Sequence, residues 1–156
     1  MALNLNPQYE SVGRQFVLHF YQTFSSNSFW EGLNATCFSF SQKDNEAKST
    51  LVLNEPYKAN LGGLYGPESM LTFENNQFQG PQSIMVKLNG LPPKVRHSIV
   101  TCDCQPTPHN GIIVFVAGDL AIDDDPPVKF AEAFHLVPSP TGSYIIFNDM
   151  FRFCIG

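Results

Sequence analysis

Apolar residues recur every three or four positions near the start of the chain, a spacing that puts them on one face of an α-helix. The series consists of Tyr9, Val12, Phe16, Phe20 and Phe24. The preceding pair Asn6-Pro7 suits a helix start, because asparagine can cap the first turn and proline is preorganised for it. The pattern predicts a long amphipathic helix with one face against a core.

This periodicity is lost between residues 25 and 60. Serine, asparagine, lysine and glutamate dominate the segment, and its apolar residues are scattered. We expect an inserted loop at 25–60 within a single domain that spans residues 1–156. The only tryptophan, Trp30, lies in this segment, and we expect it to be exposed to solvent.

The rest of the chain alternates between strand and helix patterns. Residues 61–65 predict no more than one turn of helix, and residues 69–74 predict a strand that Asn75-Asn76 turns back. Pro81 then opens a second helix, with Ile84, Leu88 and Leu91 on its apolar face. Four long strands are predicted at about 94–105, 112–122, 130–137 and 144–155. Helices followed by antiparallel strands predict an α+β domain, with the helices packed on one face of a curved sheet.

The charge of the chain restricts its partners. The net charge is −5 and the isoelectric point is about 5.2, and no stripe of lysine and arginine is present. Nucleic acid is therefore not an expected ligand. The N-terminal residues lack the basic and apolar regions of a signal peptide, and no apolar run reaches membrane-spanning length. We expect a soluble intracellular protein with no membrane partner.

The cysteines and the motif content give no sign of catalysis. The four cysteines form no repeated CxxC pair, so we expect no zinc site. Cys102 and Cys104 alternate along a predicted strand and would share one face, where we expect reduced structural thiols. No nucleophile elbow, P-loop or dinucleotide fingerprint is present. We therefore expect no catalytic residue, no metal and no cofactor.

An acidic corner, Asp123-Asp124-Asp125-Pro126-Pro127, follows one of the predicted strands. It lacks the glycine and the distal glutamate of a calcium-binding loop. Taken alone, it would be a solvated turn whose aspartates satisfy backbone donors. A second acid, Glu74, ends another predicted strand. Two acids at one rim would suit a lysine or arginine of a partner protein, because charged hydrogen bonds fix orientation.

His97 lies on a regular strand face between Val95 and Ile99. A single histidine in this setting is more often structural than a ligand or a base. It could also hydrogen-bond an acid such as Asp149, on the last predicted strand.

Several motifs together resemble the nuclear transport factor 2 family. The resemblance covers residues 7–24 and 61–156, in order and with similar spacing. The matching segments are Ser69-Met70-Leu71-Thr72-Phe73-Glu74, Gln77-Phe78-Gln79-Gly80, Lys87-Leu88, Leu91-Pro92, His97-Ser98-Ile99, Asp103, Gln105-Pro106-Thr107-Pro108, Gly118, Asp123 to Pro126, and Asn148-Asp149-Met150-Phe151-Arg152. The segment 25–60 departs from the family, which has a short connection there.

The resemblance implies a cone-shaped domain that forms a homodimer through its sheet. It also implies binding of the GTPase Ran in its GDP form, with an aromatic side chain of Ran inserted into the mouth of the cone. The acids that match the Ran-binding rim are Glu74, Asp123 and Asp125. The residues that match the apolar cavity are Phe73, Leu91, Pro92, Val95, Leu120, Ile122, Val128, Met150 and Phe151.

The same resemblance implies a second group of partners, the FG-repeat nucleoporins of the nuclear pore. Tyr9 occupies the position of the family's N-terminal tryptophan in the repeat-binding groove. Tyrosine keeps a flat aromatic face but adds a hydroxyl group that needs a partner. The implied location is the cytoplasm and the nucleus, concentrated at the nuclear pore.

Two alternatives belong to other functional classes. The same cone is shared with small-molecule isomerases and dehydratases, for which Asp149 and His97 would form the acid–base pair, with Asp103 as a further candidate. An adaptor domain of an RNA-export factor would share the fold but comes with additional domains. Since fold alone does not transfer function, a binding protein without enzymatic activity is the leading hypothesis.

Overall fold

The computed structural model describes residues 3–24, 57–92 and 94–155. Within these ranges the chain forms two α-helices, one 3₁₀ helix and six strands. The helices are α1 (Tyr9–Phe24), the 3₁₀ helix (Tyr57–Leu64) and α2 (Gly80–Asn89). The strands are β1 (Tyr65–Phe73), β2 (Asn76–Gln79), β3 (Val95–Thr107), β4 (Gly111–Ile122), β5 (Val128–Pro138) and β6 (Tyr144–Phe153). None of the described helices combines the length and the apolar character needed to cross a bilayer.

Helix α1 begins just after the predicted Asn6-Pro7 start. The Asn6 side-chain oxygen accepts a hydrogen bond from the Gln8 N–H at 2.8 Å and so satisfies one of the donors that a helix start leaves unpaired. The helix packs against β3 and β4. Its buried residues include Val17, Phe20, Tyr21 and Phe24, so the amphipathic helix that the sequence predicts is confirmed.

The six strands form one mixed sheet in the order β2-β1-β6-β5-β4-β3. Strand β1 runs parallel to β6, and every other neighbouring pair is antiparallel. Register shifts interrupt β3 between Ile99 and Thr101, and β5 between His135 and Leu136. Such irregularities increase local twist and bend a strand. The predicted cone of helices on a curved, mainly antiparallel sheet is confirmed.

Several predicted boundaries differ from the structure. The 3₁₀ helix is eight residues long, whereas residues 61–65 predicted a single turn. Strand β1 begins at Tyr65 instead of residue 69, and β6 ends at Phe153 instead of residue 155. Residues 25–56, with Trp30, lie outside the described residues, so the predicted insertion stays a prediction.

The two faces of the sheet differ in character. The inner face, towards α1 and α2, carries buried aromatic residues such as Phe130 and Phe134. The outer face exposes Ile113, Phe115 and Met150, with 46%, 43% and 53% of their surface accessible. Across this outer face Phe115 pairs with a residue of β5, Ala133, which in turn pairs with Met150 of β6. An apolar row therefore crosses three strands on the side away from the helices.

Candidate binding cavity

A largely apolar cavity lies between the helices and the inner face of the sheet. The empty space between its walls measures about 470 Å³, including the part open to solvent. Every strand except β2 contributes to its walls. The lining residues are Phe20, Phe24, Leu71, Phe73, Leu88, Leu91, Pro92, Val95, His97, Leu120, Ile122, Glu132, Phe151 and Phe153.

Seven of the nine residues predicted for the cavity belong to this lining. They come from β1, β3, β4, β6 and the segment after α2, and the fold brings them together around one space. These seven are Phe73, Leu91, Pro92, Val95, Leu120, Ile122 and Phe151.

The other two predicted cavity residues, Met150 and Val128, lie outside the lining. Met150 directly precedes Phe151 in β6, and successive strand residues point to opposite faces. Because Phe151 points into the cavity, Met150 lies on the outer face of the sheet. Val128 pairs with Leu120 but stands at the first position of β5, where 38% of its surface is exposed. The cavity assignment of Met150 is therefore corrected, while that of Val128 stays a prediction.

Stacked aromatic rings form one wall of the cavity. The rings of Phe73 and Phe151 stack with their centroids 4.6 Å apart and an angle of 8° between their planes. Their strands pair in parallel, with Phe73 and Phe151 in register. On the other side of the Phe73 ring, the Lys87 ammonium lies 4.5 Å from the centroid, a favourable cation–π distance.

Glu74 follows Phe73 directly and begins the turn between β1 and β2. Its backbone is left-handed, with a φ of 55°, and its N–H donates to the Phe151 carbonyl at 3.0 Å. Its carboxylate accepts a hydrogen bond from the Phe153 N–H, and Arg152 Nη1 lies 3.9 Å from its second oxygen. The backbone of β6 thus orients the Glu74 carboxylate at the end of the cavity wall.

Asp123 and Asp125 occupy the corresponding place at the end of β4. Asp123 directly follows Ile122, a lining residue, and turns the chain with a φ of 50°. Its N–H donates to the Lys94 carbonyl at 2.9 Å, and the Asp125 N–H donates to the Ile122 carbonyl at 3.0 Å. Both aspartate side chains are exposed. Glu74, Asp123 and Asp125, here called the mouth acids, therefore stand at strand ends that line the cavity.

A second pair of acids, Glu132 and Asp149, lies under the cavity, with only 6% and 1% of their surface exposed. Tyr21 donates its hydroxyl hydrogen to Glu132, and Tyr65 donates to Asp149 Oδ2 at 2.8 Å. The two carboxyl groups also lie close enough to act on each other. These four residues, the floor cluster, meet the cavity through Glu132.

The floor cluster holds a proton. Burial, together with the nearby charge of Asp149, raises the pKa of Glu132 well above its usual value. Burial raises the pKa of Asp149 to about 6, although hydrogen bonds from Glu132 and Tyr65 oppose the rise. Asp149 Oδ1 is buried and has no donor when both acids are ionised. A proton on Glu132 supplies that donor, so the pair shares one proton instead of carrying two charges.

His97 forms part of the cavity wall and is surrounded by aromatic rings. Its ring centroid lies 4.9 Å from that of Tyr21, 5.2 Å from that of Phe24 and 5.4 Å from that of Phe130. Burial lowers the pKa of His97 to about 3, so the imidazole is neutral at pH 7. Its Nδ1 has no hydrogen-bond partner. His97 does not make the contact with Asp149 that the sequence left open. Asp149 accepts a hydrogen bond from Tyr65 instead and lies beside Glu132.

Tyr9, the residue predicted to bind FG repeats, is the first residue of α1. It is half-buried and packs against the core. Its ring belongs to the helix–sheet packing. The position leaves part of the aromatic face accessible at the start of the helix.

Sequence analysis missed Glu132, although its position carries a signal. It lies between Phe130 and Phe134 in β5, and alternation puts all three on the inner face. A charged residue in an inward-facing aromatic series is uncommon unless it is paired. Its partners Tyr21 and Asp149 are far away in the sequence, and only the fold identifies them.

Comparisons with known proteins agree with this geometry. The nuclear transport factor 2 (NTF2) domain model matches residues 48–153. The chain is 38% identical to nuclear transport factor 2B of Arabidopsis thaliana over 146 residues, which cover 92% of each protein. The structure of nuclear transport factor 2 from Cryptosporidium parvum superposes with a TM-score of 0.75 and 44% identity, covering 97% of this chain and 99% of that one.

The fold also occurs among proteins of a different class. A putative ketosteroid isomerase from Parabacteroides distasonis superposes with a TM-score of 0.62, over 97% of this chain and 94% of that one, at 10% identity. Such a low identity establishes only the shared fold. The sequence relatives and the family match carry more information, and from them the chain belongs to the nuclear transport factor 2 family.

Proposed function

We propose that this protein is a nuclear transport carrier that binds Ran in its GDP form and brings it into the nucleus. The observation that carries the proposal is an apolar cavity whose wall strands end directly in the mouth acids. The names of the relatives, nuclear transport factor 2 and 2B, support a role in nuclear transport. The carrier performs no chemistry; differential affinity for two states of its cargo is sufficient.

The cavity suits an aromatic side chain from the cargo. Its walls are aliphatic and aromatic apart from His97 and Glu132, and burial opposes the charged form of both. An aromatic anchor in such a pocket would bury its whole ring, the arrangement typical of a binding hot spot. Selectivity for the GDP form follows if the anchor belongs to the switch region of Ran, whose conformation depends on the γ-phosphate.

The mouth acids fix the orientation of the bound cargo by pairing with basic residues of Ran. Glu74 is already oriented by the Phe153 N–H, so binding costs it little side-chain freedom. Asp123 and Asp125 extend into solvent from a turn that backbone hydrogen bonds hold in place. Charges at such a rim raise the association rate and select the partner.

The same proposal includes a homodimer and a second class of partner. The exposed apolar row on the outer face, with Phe115 and Met150, is the surface through which two copies would pack. Tyr9 would contact FG-repeat nucleoporins, so that the loaded carrier passes through the pore. The protein would then be found in the cytoplasm and the nucleus, concentrated at the pore.

A pull-down of Ran loaded with GDP or GTP tests the proposal. We expect binding of the GDP form alone, and equal binding of both forms, or of neither, would contradict it. Glu74→Lys should abolish Ran binding while FG-repeat binding remains, since a rim charge reversal costs several kcal/mol. The matched control is Glu68→Lys, which makes the same charge change at an exposed position of the same strand and should bind Ran normally.

The second candidate, a small-molecule isomerase or dehydratase, is supported by one observation: Glu132, a carboxyl group with a raised pKa, lines the cavity. The acid–base pair expected from the sequence is not assembled, because His97 Nδ1 has no partner and Asp149 is bonded to Tyr65. We therefore propose a protein without enzymatic activity. Retention of Ran binding by Glu132→Gln would support the carrier, and loss of a measurable isomerase or dehydratase activity in that variant would support the enzyme.

A further inference from the structure

Two polar side chains interrupt the apolar lining of the cavity, and the protein provides for them unequally. Glu132 accepts a hydrogen bond from the Tyr21 hydroxyl and lies beside Asp149. His97 also lines the cavity, but its Nδ1 is buried and has no hydrogen-bond partner. A buried polar atom without a partner costs free energy, which a ligand recovers when it supplies the missing hydrogen bond.

The surroundings of the His97 imidazole explain why its Nδ1 is unpaired. The rings of Tyr21, Phe24 and Phe130 lie around it, with centroids 4.9, 5.2 and 5.4 Å away. Phenylalanine has no polar group to offer, and the Tyr21 hydroxyl already donates to Glu132. Because His97 forms part of the cavity wall, an occupant of the cavity is the remaining source of a partner.

The chemistry of this nitrogen selects the class of occupant. Burial lowers the pKa of His97 to about 3, so the ring is uncharged at pH 7 and attracts no anion. A phenol hydroxyl both donates and accepts a hydrogen bond, and it can therefore pair with Nδ1 in either tautomer of the imidazole. Water has the same capacity, but it leaves the apolar space beside it unfilled. A phenol replaces that water and packs its ring against walls such as Phe73 and Leu91.

We propose that the cavity is a binding site for small phenols, with the phenol hydroxyl hydrogen-bonded to His97 and the ring packed against the apolar walls. The proposed function assigns the same cavity to an aromatic side chain of Ran, so a bound phenol competes with that cargo. The competition rests on the proposed function, whereas direct binding of a phenol does not require Ran.

The compounds p-cresol and toluene are matched probes, because they share a methyl-substituted ring and differ by one hydroxyl group. An apolar cavity without a polar partner takes up the hydrocarbon. Pairing with His97 instead favours the phenol, and we expect p-cresol to bind about fivefold more tightly than toluene. NMR titration of the full chain at pH 7 measures both affinities, and the perturbed signals should come from residues that line the cavity.

His97→Leu is the matched variant, because it replaces the unpaired imidazole by an apolar side chain and needs no partner. We expect toluene to bind this variant more tightly than p-cresol, and circular dichroism verifies that the variant is folded. If the variant does not fold, the order of the two affinities in the parent chain decides. Tighter binding of toluene to the parent chain, the same order in both proteins, or signals perturbed only outside the cavity would each overturn the proposal.

Displacement of Ran–GDP distinguishes failure of this inference from failure of the proposed function. When both ligands bind, p-cresol should displace Ran–GDP at concentrations near its own Kd, and toluene should require about fivefold more. Binding of Ran–GDP without binding of p-cresol would overturn the phenol site alone. Binding of p-cresol without binding of Ran–GDP would overturn the carrier function and support the phenol site.

Discussion

The cavity has carboxyl groups at its mouth and under its floor, and the two sets behave differently. Asp123 and Asp125 at the mouth are exposed and therefore accessible to a partner. Glu132 and Asp149 at the floor are buried and satisfied by tyrosine hydroxyls and by a shared proton. Burial and hydrogen-bond partners, rather than the type of residue, decide whether an acid serves recognition or structure.

The largest expected effect separates the two sets by stability. Asp149→Ala leaves the Tyr65 hydroxyl without its acceptor and Glu132 without its neighbour, and should lower the free energy of unfolding by about 3 kcal/mol. Asp125→Ala at the mouth should change it by less than about 0.5 kcal/mol, as surface substitutions usually do. Urea unfolding at pH 7 measures the free energy of unfolding of both variants. Similar losses would mean that the mouth acids and the floor acids contribute equally to stability.

The second expected effect concerns the cavity wall, where His97 is neutral. Its pKa is about 3 in the folded chain and 6.5 in the unfolded one, so the unfolded chain binds more protons between these values. Stability is therefore lost as the pH falls through this window, by about 2 kcal/mol between pH 7 and pH 5. The His97→Leu variant should not show this part of the stability loss, because leucine does not titrate. Parallel slopes of stability against pH for the two proteins would contradict the buried, neutral assignment of His97.

The floor cluster should respond to pH in the opposite direction. The pKa of Asp149 is raised from 3.8 to about 6, so the folded chain binds more protons than the unfolded chain in that window. This contribution to stability is present below about pH 4 and is lost as the pH rises through 6. Glu132 adds to the loss, because burial and the charge of Asp149 raise its pKa as well.

Glu132→Gln isolates the proton that the two acids share. The amide can accept from Tyr21 and donate to Asp149 without titrating. Between pH 5 and pH 8 the free energy of unfolding should fall in both proteins. We expect the fall to be smaller in the variant than in the parent chain by at least about 1 kcal/mol. Unfolding at these two pH values is the measurement, and an unchanged difference would mean that Glu132 is ionised in the folded chain.

The mouth was easier to predict from the sequence than the floor, for a physical reason. Phe73-Glu74 and Ile122-Asp123 are adjacent in the chain, so an apolar wall ending in an acid is a local pattern. The floor depends on contacts such as that between Tyr21 and Glu132, 111 positions apart, and on a parallel pairing of β1 with β6 that no local pattern specifies. Alternation alone could have excluded Met150, since Phe151 cannot share its face.

The smallest expected effect tests whether the mouth serves recognition alone. Asp125→Asn keeps the size of the side chain and the backbone hydrogen bond from the Asp125 N–H to Ile122, so stability should change by less than about 0.5 kcal/mol. Affinity for Ran–GDP should fall by about two- to fivefold, as expected for one exposed ion pair. The loss should shrink as salt is added, because screening already weakens that pair in the parent chain. Calorimetric titration at low and high salt, with Glu68→Gln as a control at an exposed position of β1, measures the difference. A loss of affinity that does not depend on salt would mean that Asp125 maintains the conformation of the turn instead of forming an ion pair with Ran.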